Sequence, residues 1–237
     1  MTGARNNQIV RTINLGKCYR MGQGELHALR SVNLSLERGE FAGLVGPSGS
    51  GKTSLLNIIG TLDVPSSGSA EVLGVRVESL TPSQAAALRR RSIGFVFQTF
   101  NLLPVYSAYE NIEFPLLLLK VPSAERRARV MEALDWVGLK DRAFSRPTEL
   151  SGGECQRIAI ARAIVKRPEI VIADEPTANL DAENSHHILK TMLDLNRNLG
   201  TTFLFSTHDE KVIRYLRRRI SLADGQIVAD QVQDDKG

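Results

Sequence analysis

Two cysteines, one tryptophan and a 5% share of aromatic residues are little for a chain of 237 residues, and each scarcity excludes something. Cys18 and Cys155 form no C-x-x-C, and no His/Cys cluster stands at metal-ligand spacing, so neither a disulfide scaffold nor a zinc motif is readable. The compartment expected for two reduced thiols is the cytoplasm. Aromatic residues do not interleave with the basic ones, and no groove-reading motif is present, so nucleic acid is not an expected partner. The arginine clusters at 89–91, 126–127 and 217–219 read as solvated faces. Long apolar runs are also missing: Pro115 to Leu119 is among the longest, against the ~18–20 residues that span a bilayer. Met1 to Gln8 is polar and lacks the apolar core of a secretory signal, so the chain is not expected to cross a membrane by itself.

What is present is ordinary globular composition, 42% hydrophobic and 24% charged, enough for one domain with an inserted subdomain. The net charge of +4 suits a polyanion without saying which. One stretch says more. Gly46-Pro47-Ser48-Gly49-Ser50-Gly51-Lys52-Thr53 fits the phosphate-binding pattern G-x-x-x-x-G-K-[ST]. Its glycines let backbone N–H groups converge on an anion at the start of a helix, which Ser54 continues. Lys52 is placed to reach the β- and γ-phosphates, and the Thr53 hydroxyl to ligate Mg²⁺. The apolar run Phe41 to Val45 supplies the preceding strand.

Strands are expected at Ile9–Ile13 and His27–Leu36, the latter alternating Ala28, Arg30, Val32, Leu34 and Leu36 against Leu29, Ser31, Asn33 and Ser35. Asp63 to Gly68 reads as a turn and Ala70 to Val77 as a returning hairpin; Thr81-Pro82-Ser83-Gln84 carries a capping box. Ile93 to Phe97 is a strand ending at Gln98. Helices follow at 110–119, 124–137 and 152–165, an inserted helical block. Strands at 170–173 and 202–205 end before Asp174 and His208; between them Asp181 caps a helix that Gly200 stops. A hairpin over 220–222 and 226–229 closes the chain, and Gln231 to Gly237 reads as a frayed tail. Alternating strands and helices imply an α/β sheet with ligands at the carboxyl ends of its strands, where Gln98, Asp174 and His208 fall.

Two further motifs carry chemistry. Ile170-Val171-Ile172-Ala173-Asp174 is a hydrophobic strand ending in an acid, the second Mg²⁺-associated element expected beside a phosphate loop. Glu175 follows, and strand pleating turns it from the metal toward the γ-phosphate, where it can orient and deprotonate water. Leu150-Ser151-Gly152-Gly153-Glu154 precedes a long helix, a second helix start that seeks an anion. Taken alone, Tyr19 reads as a core aromatic, His208 as a structural histidine, His186 and His187 as surface or packing residues, and Cys155 as an inert thiol.

In this order, residues 46–53, Gln98, 150–154, 170–175, Asn179-Leu180-Asp181 and His208 resemble an ATP-binding-cassette (ABC) ATPase over nearly the whole chain. The resemblance implies a P-loop NTPase (RecA-like) α/β core over 1–99 and 167–230, with an antiparallel β subdomain, an inserted helical signature subdomain over 100–166 and a tail over 231–237. It implies ATP and Mg²⁺ as ligands. Tyr19 would stack on adenine, Gln98 would sense Mg²⁺ beside a partner contact, His208 would contact the γ-phosphate and Asp181 would couple two sites. The signature, Ser151 to Glu154, would complete the nucleotide site of a second copy in a homodimer. Phe95 to Pro104 and Glu110 to Leu116 resemble the group of lipoprotein-releasing (LolD-like), macrolide-export (MacB-like) and FtsE ATPases. That group implies a location on the cytoplasmic face of the inner membrane, through a permease received in a groove near residues 98–114. Lipoprotein release or export is the leading expectation, and FtsE-like regulatory mechanotransmission without transport is the alternative.

Overall fold

In the computed structural model, which describes residues 7–22 and 24–233, the chain opens on two long antiparallel strands, β1 (Gln8–Met21) and β2 (Gly24–Glu37). The alternation expected in β2 slips phase. Leu29 is buried together with Val32, Leu34 and Leu36, because Ser31 adopts a left-handed φ of 51° and inserts an extra residue where the register shifts. The polar stretch expected at the N-terminus lies outside the described residues up to Asn6. β3 (Phe41–Val45) follows, buried along its whole length, and leads through the phosphate loop into α1 (Lys52–Ile59).

β4 (Ser67–Val72) and β5 (Val75–Arg76) return to β1 and complete a four-stranded antiparallel sheet in the order β2-β1-β4-β5. Thr81 then opens α2 (Pro82–Ser92) through the expected capping box, and the helix runs directly into β6 (Ile93–Val96). The helical block comprises α3 (Ala108–Leu118), α4 (Ser123–Trp136) and α5 (Gly152–Ile164). After it come β7 (Ile170–Asp174), α6 (Ala182–Leu199), β8 (Thr202–Thr207), the short α7 (Glu210–Ile213), β9 (Arg218–Ala223) and β10 (Gln226–Val232). Gln231 and Val232 of the expected tail thus belong to a strand, and residues 234–237 lie outside the described residues.

The second sheet has the order β10-β9-β3-β8-β7-β6, parallel from β9 through β6. Its strands alternate between two cores. Ala42, Leu44, Ile172 and Leu204 face α1 and the antiparallel sheet, while Phe41, Val171, Phe203 and Phe205 face α5 and α6. α1 is therefore held between two sheets, and its first turn sits at the carboxyl edge of β3. Asp181 caps α6 by accepting from the Asn184 N–H, and Gly200 ends it with a φ of 65°.

The arginine at the start of β9 departs from the solvated face expected for its cluster. Arg218 is largely buried and donates to Asp230 at 2.9 and 2.7 Å, to Glu40 at 2.9 and 3.0 Å and to the Ser35 carbonyl at 2.9 Å. Arg89 likewise turns inward, donating to the Thr61 carbonyl at 2.5 Å.

Candidate functional site

The phosphate loop is shaped by contacts that only glycine allows. A Cβ at Gly46 would lie 2.2 Å from the Leu222 carbonyl oxygen, and one at Gly51 2.4 Å from that of Ala28, with Gly51 also at a φ of 101°. Pro47, Ser48 and Gly49 are exposed, whereas Ser50 is buried and its hydroxyl has no hydrogen-bond partner among the described residues. Lys52 is buried too. Its ammonium donates to the carbonyls of Gly46 and Pro47 at 2.7 and 2.9 Å, which folds the cation over the exposed part of the loop.

Beside it, the Thr53 hydroxyl lies 3.5 and 3.4 Å from the two carboxylate oxygens of Asp174. Ser206, paired with Asp174 across β7 and β8, donates to that carboxylate and accepts from the Glu175 N–H at 3.1 Å. One buried serine therefore fixes both acids. Sequence reading passed over Ser206, although a hydroxyl at the end of an apolar strand two residues before His208 was the available signal.

Glu175 reaches its position by a different route from the pleating expected of it. Its φ is 46°, left-handed, a conformation that costs roughly 1–2 kcal/mol for a residue with a Cβ. Its N–H is tied to the Ser206 carbonyl at 3.2 Å, and its carboxylate meets His208 Nδ1 at 2.9 Å. Strained backbone of this kind gathers where geometry serves a reaction. Glu175, Thr177, Thr207 and His208 line an open cavity of about 410 Å³.

Tyr19, on β1, stands beside α1. Its hydroxyl is 3.0 Å from Asp63 and 3.4 Å from Ser54 of α1, and the Lys17 ammonium lies 4.8 Å from the ring centroid. Lys17 is itself anchored on Asp63 at 2.6 Å, a support that sequence reading did not single out.

The remaining residues are grouped elsewhere. Ser151 caps α5 by accepting from the Glu154 N–H at 3.3 Å while Glu154 accepts from the Ser151 N–H at 2.8 Å. The Ser151 N–H first, and the Ser151 side chain after it, hold the Glu154 carboxyl below its ordinary range. Gly153 packs on Asn184, and Gln156 donates to the Pro176 carbonyl at 2.5 Å, so α5 leans on the segment that follows Glu175. Asp181 is lowered as well, first by the Asn184 N–H. Asn179 donates to the Gln98 carbonyl at 3.0 Å, which joins the end of β6 to the same segment. Among the described residues, no hydrogen bond links Ser151 to Glu154 with residues 46–53 of the same chain. Cys155 is buried against the Pro147 carbonyl, and burial, with Glu154 beside it, raises its thiol. His186, expected as a surface or packing residue, is exposed on α6 and hydrogen-bonded to the Tyr215 hydroxyl.

A glycine-shaped loop at a helix start, two acids at a strand end and a histidine across from them define a nucleotide triphosphatase site. Residues 29–178 match the ABC transporter family, and the chain belongs to it. It is 45% identical over 221 residues to the ABC transporter ATP-binding protein YvrO of Bacillus subtilis strain 168, covering 93% of this chain and 96% of that one. It is 43% identical over 205 residues to the lipoprotein-releasing system ATP-binding protein LolD of Bacteroides fragilis strain YCH46, covering 86% and 95%. Among solved structures it resembles the ATP-binding cassette MJ0796, described as a dimer in a post-hydrolysis state bound to ADP and Pi. That match has a TM-score of 0.88, 40% identity and coverage of 95% and 99%. The chain is an ATP-binding, ATP-hydrolysing cassette of a transporter, with the P-loop ABC fold. Among the described residues no helix is long and apolar enough to cross a membrane.

Proposed function

We propose that two copies of this chain bind two ATP molecules between them and hydrolyse them to drive a membrane permease in lipoprotein release or export. The observation that carries the chemical part is the Glu175 carboxylate, held by a strained backbone and the His208 ring next to Asp174. In this reading Gly46 to Ser54 wrap the phosphates and Lys52 leaves its carbonyl partners for the β- and γ-phosphates. Glu175 accepts a proton from the attacking water, and His208 orients that carboxylate and contacts the γ-phosphate. Tyr19 offers adenine the ring face away from Lys17.

The Thr53 hydroxyl and Asp174 carboxylate form a hard-oxygen donor pair that fits Mg²⁺, which takes few protein ligands and keeps its waters. When bound, the ion neutralises phosphate charge; Gln98 lies at the strand end that would sense it.

Among the described residues, Ser151 to Glu154 make no hydrogen bond to their own phosphate loop, and they present a capped helix start, which supports a role toward the nucleotide of a second copy. Asp181 and Asn179, between α5 and Gln98, would couple the two sites. Residues 100–166 would act as the arm that carries the signature against a core of 1–99 and 167–230. The 43% identity to LolD supports lipoprotein release, and membrane association on the cytoplasmic face would come through the permease.

Glu175→Gln tests the chemistry. Turnover should fall about 10²- to 10⁴-fold while ATP binding persists and an ATP-dependent dimer accumulates on size exclusion. Hydrolysis near the wild-type rate would remove Glu175 from the role of base.

A further inference from the structure

The β1–β2 hairpin has a second face. Cys18 pairs directly with His27, Tyr19 with Leu26 and Arg20 with Glu25. Residues opposite one another on antiparallel strands project to the same side, and sequence neighbours to opposite sides. Cys18, Glu25 and His27 therefore share the face turned away from Tyr19. Their donor atoms, a thiol sulfur, a carboxylate oxygen and an imidazole nitrogen, all lie within 4.8 Å of one another. No ligand spacing announced this cluster, because nine positions separate Cys18 from His27 and only the strand register brings them together.

We infer that Cys18, Glu25 and His27 form a binding site for a divalent cation of the Zn²⁺ class. A thiolate, an imidazole and a carboxylate are the donor types Zn²⁺ takes, at ~2.3, ~2.0 and ~2.1 Å, and three protein ligands leave one tetrahedral position for water. Donors around such an ion stand roughly 3.3–3.6 Å apart by those bond lengths. The present separations close to that by side-chain rotation alone, since the Glu25 and His27 side chains are 60% and 54% exposed. The backbone under the thiol is already fixed. The Cys18 N–H donates to the Ser66 hydroxyl at 3.0 Å, and that hydroxyl is 3.3 Å from the Cys18 carbonyl. Mg²⁺ and Ca²⁺ prefer all-oxygen ligands, so sulfur and imidazole separate this site from the oxygen pair of Thr53 and Asp174. An ion here would tie β1 to β2 one residue from Tyr19.

Co²⁺ titration of nucleotide-free protein carrying Cys155→Ser, which leaves Cys18 as its single thiol, reads the site directly. A thiolate-to-cobalt charge-transfer absorption saturating at one equivalent is expected, lost on adding Cys18→Ser. Calorimetric titration with ZnCl₂ should show His27→Ala and Glu25→Gln each weakened by at least about tenfold, the lower bound for losing even an outer-sphere partner. Circular dichroism of these surface variants should match the parent. Three results would overturn the assignment: no charge-transfer band in the Cys155→Ser protein, a wild-type band that survives Cys18→Ser but not Cys155→Ser, or Zn²⁺ affinity indifferent to both His27→Ala and Glu25→Gln.

Discussion

Gly152 and Gly153 stand side by side in the signature with opposite tolerance for a side chain. A Cβ at Gly153 would fall 2.3 Å from Asn184 Oδ1, and Asn184 cannot swing away cheaply because Asp181 accepts from both its N–H and its Nδ2 at 2.8 Å. At Gly152 the nearest atoms, on Leu180 and Phe100, are 3.7 Å off, an ordinary contact. Gly153→Ala should therefore cost about 1–3 kcal/mol through overpacking and a disturbed α6 cap, read as a melting point several degrees lower. Gly152→Leu should keep the fold and ATP binding by the monomer, yet lose the ATP-dependent dimer and turnover. Equal melting points for Gly153→Ala and wild type would mean that Asn184 does not constrain the signature. Residue types and spacing made Lys52, Thr53, Asp174 and Glu175 legible in the sequence, since phosphate and metal chemistry accept few substitutes. Ser206, Asn184 and Lys17 were not legible, because a supporting residue is defined by what it touches, and that depends on pairing between distant strands and helices.

Elements meet in this protein through polar ends as well as apolar faces. Just beyond α5, the Lys166 ammonium donates to the carbonyls of Arg89 and Arg90 in α2 and of Ile93 in β6, at 2.6, 3.1 and 2.7 Å. A helix C-terminus presents unpaired carbonyls and the negative end of its dipole, so a cation suits the place. Burial nevertheless pulls the amine down to about 8. A base with a lowered folded pKa leaves the unfolded chain holding more protons between its two values. Stability should thus gain as pH rises from about 8 toward the unfolded ~10.4. Urea titrations of wild type and Lys166→Met across that window check it: the difference between the two should change with pH, and a flat difference would count against a depressed Lys166. At this scale the apolar strand runs and the caps at Thr81, Asp181 and Gly200 were readable, each being local chemistry. The bulge at Ser31 and the burial of Arg218 were not, for both depend on which strand lies alongside.

Across the whole molecule, α5 links two surfaces. Its N-terminus is the signature; near its other end Arg162 donates to the carbonyls of Asn101 and Phe100 at 2.5 and 2.7 Å, two residues held at φ values of 50° and 59°. Arg162 and Asn101 also line a groove of about 430 Å³ with Leu62, Phe95, Pro115 and Leu118; Arg89, Arg90 and Lys166 line it too, Arg89 and Lys166 with their charged ends tied to backbone carbonyls and Arg90 exposed. This groove only partly coincides with the stretch 98–114 expected from sequence: it takes in Asn101 and reaches past it to Pro115 and Leu118 on α3. Apolar walls beside the exposed Arg90 fit an amphipathic helix with an acidic residue at that end, the kind of segment by which a permease would engage on the proposed reading. A segment seated there would press on the Phe100–Asn101 turn and, through Arg162, on the helix that ends in Ser151. Leu118 is 49% exposed, so Leu118→Glu should leave the fold and the ATPase rate of the isolated chain unchanged. It buries a charge and faces acid with acid on docking, which should reduce co-purification with the permease by tenfold or more, since roughly 1.4 kcal/mol suffices. Retention of the permease by Leu118→Glu would move the docking surface elsewhere, whereas a lost permease with intact hydrolysis would make this groove the place where ATP chemistry is handed to the membrane.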